Sequence, residues 1–235
     1  KEDFLGLVAI NNDNPNNYSK AKAYLKHYES FESNPIYLDS SKYYLDRLPM
    51  ETSFPLYVKY YYLQKDYKSI INLEMQYSEA NLFGENKLEK SICLSQIAES
   101  YALNNMNEKA LSYYRHANKL SPFHLDIKIK LAVQLIRMKE LLLANKELSS
   151  ILDKYPDSKE AYCNLGYLAI LDSDYRLAEK HLNKAIALDP DYVQAYENLV
   201  LSAQMQNKMD QVKDYVNKIL EIAPRHKAKE ILQKL

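Results

Sequence analysis

Ala161-Tyr162-Cys163-Asn164-Leu165-Gly166, followed by Asp174-Tyr175, Ala178, Leu182 and Ala185 and closed by Pro190, is the stretch on which the fold turns. Its apolar and small residues recur at intervals of three, four and seven, which puts them on one stripe of a helix. Outward from Pro190, three more prolines keep a common interval: Pro122, Pro156, Pro190 and Pro224 are each 34 residues apart. A proline fits the first turn of a helix but not its interior, so these four read as the junctions between successive helical hairpins.

With the proline at position 32, the repeats run 91–124, 125–158, 159–192 and 193–226, and other positions keep the same interval. Position 8 is Ala98, Ala132, Gly166 and Val200, and position 20 is Ala110, Ala144, Ala178 and Val212. Position 7 is Ile97, Leu131, Leu165 and Leu199, position 24 is Tyr114, Leu148, Leu182 and Val216, and position 27 is Ala117, Ile151, Ala185 and Ile219. Two antiparallel helices that approach to about 8–10 Å need small side chains where their axes cross. Positions 8 and 20 supply them, and the large residues fill the space beside the crossing.

This pattern resembles the tetratricopeptide-repeat (TPR) family, in its bacterial type, across residues 91–226. The resemblance implies an all-α fold: a right-handed α-solenoid of antiparallel helix pairs, a TPR superhelix, with a C-terminal capping helix. The sequence departs from the family pattern in places. Ala169 stands at position 11 where the family carries Tyr, Lys128 occupies an aromatic site, and the last repeat has valine at positions 8 and 20, which predicts wider helix spacing there. Met138-Lys139-Glu140 contains no helix breaker, so Leu125 to Leu152 taken alone reads as one long helix. The repeat register alone demands a turn.

Outside the four regular repeats, residues 18–90 read as degenerate helical hairpins. Within them 51–84 is a weaker repeat in which Asp66-Tyr67 mimics Asp174-Tyr175, but Glu74 falls at the apolar position 24. Six extra residues, 85–90, separate it from the regular array and are expected in the loop around Asn81 to Asn86. Tyr24, Leu25 and Tyr28, then Tyr44, Leu45 and Leu48, stripe an earlier pair, with Asn34-Pro35 as its turn and Pro49 as its stop. Residues 1–17 form an N-terminal segment and linker: Phe4 to Ile10 is short and apolar, and 11–17 is asparagine-rich. Residues 227–235 read as a capping helix with Ala228, Ile231, Leu232 and Leu235 inward and a polar outer face.

Composition narrows the function. Lys+Arg and Asp+Glu are equal at 31 each, so no net charge draws the chain to nucleic acid or anionic lipid. No apolar run reaches the roughly 20 residues that span a bilayer. Three glycines leave little material for phosphate-binding loops. Cys93 and Cys163 lie in no C-x-x-C pair and read as reduced, half-buried thiols. No catalytic motif is present, the five histidines are scattered, and His116 and His124 read as solvated rather than as metal ligands. We therefore expect no enzyme activity, no cofactor and no metal.

By the resemblance, positions 2, 5, 6, 9, 12 and 13 of the first helix of each repeat line a groove for a partner. The candidate partner-binding residues are Gln96 and Glu99, Lys130 and Arg137, Asn164 and Tyr167, and Gln194, Asn198 and Gln204. Asn164 and Asn198 share position 6, where an amide offers both donor and acceptor to an extended peptide. Lys130 and Arg137 are seven apart and project from one face toward a carboxylate. The lysine and asparagine set with which some TPR proteins clamp a C-terminal carboxylate is absent from all four repeats. Of 22 tyrosines, 15 precede residue 115, and Tyr60-Tyr61-Tyr62 cannot share one helical face. They read either as loosely packed residues with solvated hydroxyls or as an interface for a sugar or protein.

The expected function is a non-catalytic scaffold that binds a protein or peptide in its groove, without nucleic acid and without membrane insertion. The alternative is a TPR module of a larger exported enzyme or of a secretion or polysaccharide machine. The lack of an initiator Met before Lys1 and the asparagine-rich linker suggest it, and an adjacent domain of the same longer chain would then be the partner.

Overall fold

The computed structural model describes residues 17–30, 34–77 and 86–233. Among these, all regular structure is helical and no strand occurs. The chain divides into two compact units, Lys1–Ser121 and Pro122–Leu235. Phe4 to Ile10, the linker at 11–16 and most of the expected loop at 81–86 lie outside the described residues.

In the first unit the helices are α1 (Asn17–Ser30), α2 (Pro35–Leu45), α3 (Met50–Leu63), α4 (Tyr67–Tyr77), α5 (Lys87–Leu103) and α6 (Asn107–Leu120). In the second they are α7 (Leu125–Arg137), α8 (Leu141–Lys154), α9 (Lys159–Leu171), α10 (Tyr175–Leu188), α11 (Val193–Met205), α12 (Met209–Ile222) and the single turn α13 (Lys229–Leu232). Consecutive helices pack as pairs, and the first helices of successive pairs also stack: α1 on α3 and α3 on α5, then α7 on α9 and α9 on α11. Within each unit a second helix also packs on the next first helix: α2 on α3 and α4 on α5, then α8 on α9 and α10 on α11. This nearest-neighbour plan is that of an all-α solenoid.

The repeat positions carry the core. Position 20 is fully buried at Ala110, Ala144, Ala178 and Val212, and positions 7, 8, 24 and 27 are buried in all four regular repeats. Gly166 shows why small residues recur. A Cβ placed there would lie 2.6 Å from Leu182 Cγ and 3.3 Å from the Ala178 carbonyl oxygen. The α9 and α10 backbones therefore meet at positions 8 and 20. Val200 and Val212 are buried in the last repeat at the same two sites.

Each regular hairpin turns through a left-handed residue: Asn105, Lys139, Ser173 and Asn207, 34 apart, have φ near 60°. Lys65 does the same at the matching site of the weak repeat, 40 residues before Asn105, so the six-residue offset falls between Lys65 and Asn105. The closing bonds repeat as well. The Glu140 amide donates to the Leu135 carbonyl (2.9 Å) and the Lys139 amide to Ile136 (2.9 Å), with equivalents at Asp174, Met106, Lys208 and Asp66. This pair of bonds is the Schellman closure, which supplies donors to the last helical carbonyls. It ends α7 without a glycine or proline, so the long helix that Leu125 to Leu152 suggests in isolation is two helices.

None of these five residues is glycine, and an L-residue in that conformation costs about 1 kcal/mol or more. Ser173→Gly is expected to stabilise the fold by about 1 kcal/mol and raise Tm by about 2–4 °C. A thermal melt followed by far-UV circular dichroism checks this, and a lower Tm would contradict the turn geometry.

Side-chain caps start several helices. The Asn34 side chain accepts from the Ile36 amide, Asn86 from Leu88 and Glu89, Ser158 from Ala161 (3.2 Å) and Asp174 from Leu177 (3.0 Å). Of the capping helix expected over 227–235, Lys229–Leu232 form one turn, with Ala228 buried and Ile231 and Leu232 packed against the last pair; Leu235, expected inward, lies outside the described residues.

Four tyrosines of the first unit depart from the expectation of solvated hydroxyls. Tyr57 donates to Asp46 (2.6 Å), Tyr62 to Glu99 (2.8 Å), and Tyr101 and Tyr113 both donate to Glu74. Glu74, out of place at an apolar position, is buried and solvated by two phenols instead of water. Burial, and then the bond to Glu74, push both phenols well above their ordinary range.

Candidate functional site

The stacking of α7 on α9 leaves a cavity of about 580 Å³ in the second unit. Position 9 and position 13 of each helix reach it: Val133 and Arg137 from α7, Tyr167 and Leu171 from α9. Ile136, Lys139, Leu141 and Asn164 complete its walls. Three of the nine candidate residues, Arg137, Asn164 and Tyr167, thus share one site. A volume of this size suits a large side chain with part of its flanks.

The remaining candidates are distributed differently. Lys130 pairs with Asp126 one turn back (3.3 Å) and is not among the residues that line the cavity. Asn164 donates its amide to the Glu160 carbonyl (2.8 Å). Asn198 donates to Cys163 Sγ (3.2 Å), which ties α11 to α9. Gln194 is exposed at the start of α11. Gln204 lines a second cavity of about 290 Å³, where Glu197 and His226 lie 3.3 Å apart and His226 Nδ1 accepts from the Ala228 amide (3.1 Å). Gln96 and Glu99 are half-buried on α5 of the first unit, with Glu99 accepting from Tyr62.

Lys128, at the aromatic position, instead pairs with Glu147 of α8 (3.4 Å). Cys93 and Cys163 are buried rather than half-buried. Burial pushes the Cys163 thiol up to about 12, against a smaller opposing effect of the Asn198 bond, so it stays protonated at neutral pH. Among the described residues no group of three His, Cys, Asp or Glu side chains converges as a metal site, and no helix is long and apolar enough to cross a membrane.

A family profile for the tetratricopeptide repeat matches residues 159–192, the α9–α10 pair with its junction proline. Residues 159–192 are a tetratricopeptide repeat. A comparison with curated proteins finds no match. Solved TPR structures do match the fold. MamA from Desulfovibrio magneticus RS-1 is similar at 16% identity and TM-score 0.55, covering 72% of this chain and 93% of that one. YrrB, a TPR protein described as having an unusual peptide-binding site, is similar at 14% identity and TM-score 0.51, covering 92% of this chain and 100% of its own. PilW, a type IV pilus biogenesis factor, is similar at 19% identity and TM-score 0.62, covering 77% and 80%. At these identities the likeness is one of fold. Lys139 and Leu141 line this cavity from the turn and from the start of α8, outside the first-helix positions that the sequence marks, whereas Leu171 occupies position 13, one of those positions, without having been named.

Proposed function

We propose that the chain is a non-catalytic interaction scaffold that holds an extended segment of a partner protein against α7, α9 and α11. The observation that carries this reading is the cavity between α7 and α9, with Asn164, Tyr167 and Arg137 on its walls. An apolar side chain of the partner fills such a space and buries its surface there. The Asn164 carboxamide oxygen and the Tyr167 hydroxyl supply polar contacts to the flanking backbone. The peptide-binding site described for YrrB supports the same reading by likeness of fold.

The test is a selection of displayed random peptides on the immobilised chain, followed by titration of the recovered peptides. Tyr167→Ala is expected to weaken them at least about tenfold, the loss typical of an aromatic anchor, while helical content stays unchanged. Peptides that bind this variant as tightly as the parent chain would refute the site.

A further inference from the structure

We infer that the α7–α9 cavity is selective for an acidic segment of a partner protein, one that presents a large apolar side chain next to carboxylates. This rests on the scaffold reading above and adds the chemistry of the occupant.

The apolar part of the lining is Val133, Ile136, Leu141 and Leu171. The charged groups on the lining are both cations, Arg137 and Lys139, and no carboxylate is among the lining residues. Arg137 is the last residue of α7 and Lys139 the left-handed residue of the turn that follows, and both are exposed. They therefore stand together at one rim of the cavity. Low-dielectric walls concentrate the field of such a pair and favour an anion at the mouth.

Cations also suit any helix C-terminus, because they oppose the helix dipole there. The other repeats show that this turn does not require them. Position 13 is Leu103, Leu171 and Met205 in the other regular repeats, and position 15 is Asn105, Ser173 and Asn207. The same backbone turn forms in each, with φ near 60° and the same closing bonds. The charge pair is confined to the repeat whose turn rims the cavity. Lys139 also holds its ammonium there in a conformation that glycine adopts more easily. Stability and the proposed recognition therefore pull this residue in opposite directions, as at many binding sites. The pocket at the other end of the unit differs, since Glu197 and Glu230 are on its lining.

That opposition makes a sharp test. The probes are a fluorescein-labelled peptide from the selection above whose binding depends on Tyr167, and its charge-reversed form with each Asp and Glu changed to Lys. Fluorescence anisotropy is read at about 50 and about 300 mM NaCl, where screening differs strongly. The recovered peptides are expected to carry Leu, Ile, Phe or Tyr beside Asp or Glu, and the charge-reversed peptide to fail to bind. Lys139→Gly and Arg137→Gln are each expected to weaken the acidic peptide roughly three- to tenfold at low salt, and less at high salt. Lys139→Gly should at the same time raise Tm by about 2–4 °C, which excludes unfolding as the cause. Tyr167-dependent peptides without acidic residues, or equal affinity for Lys139→Gly and the parent chain, would overturn the inference and leave the scaffold reading standing. Recovery of no Tyr167-dependent peptide would overturn both. A dimer in sedimentation that Lys139→Gly dissociates would replace the foreign partner with a second copy of the chain.

Discussion

Ala178→Trp is expected to lower Tm by about 10 °C and to remove the cooperative transition of the α9–α10 pair. Ala178 is fully buried, and its carbonyl lies 3.3 Å from where a Cβ on Gly166 would sit. The crossing is already closed with one partner lacking a side chain altogether. An indole there must separate α9 from α10 or displace Leu182, itself fully buried. Overpacking a tight core typically costs about 1–3 kcal/mol and more when backbone must move. For a chain of this length each kcal/mol shifts Tm by about 2–4 °C. Lys180→Trp, two residues on and exposed, is the control and should melt within about 2 °C of the parent chain. If Ala178→Trp melted like its control, the positions assigned to the crossing would be wrong.

Glu74→Ala is expected to destabilise the first unit by about 3 kcal/mol, because it strips the acceptor from two phenols at once. Tyr101 is fully buried and stacks on Tyr113 with ring centroids 5.6 Å apart, so the Tyr101 hydroxyl regains no water without disturbing the stack. Lys109 sits over the Tyr101 ring at 4.9 Å. Removing all three polar groups together is a different experiment. A Glu74→Leu, Tyr101→Phe, Tyr113→Phe variant leaves nothing unsatisfied, restores an apolar residue at position 24, and should come within about 1 kcal/mol of the parent chain. Chemical denaturation of the three proteins decides it. Equal midpoints for Glu74→Ala and the parent chain would mean that the phenols do not depend on this carboxylate.

The sequence carried the repeat because steric demands at a helix crossing are local and strict. Only small residues fit at Gly166 and Ala178, so the 34-residue interval is written directly into residue type. The turn at Met138-Lys139-Glu140 was legible only through that interval. The Schellman closure is made by backbone groups, and Lys139 adopts its conformation without the glycine that would have announced it. Glu74 looked like a failure of the pattern. Its partners lie 27 and 39 residues away, and no local periodicity links them. The candidate site was legible in part for a related reason. Helix-face positions predicted Arg137, Asn164 and Tyr167, whereas Lys139 and Leu141 reach the same cavity from a turn and from the next helix. Side chains that converge from three elements leave no single spacing to read.

Backbone chemical shifts and proton NOEs for residues 122–226 test the repeat register most directly. The account predicts helical Cα shifts interrupted at 139, 173 and 207, positive φ at each, and a close NOE between the Gly166 Hα protons and the Leu182 methyls. An uninterrupted helix from Leu125 to Leu152, or the absence of that NOE, would contradict it.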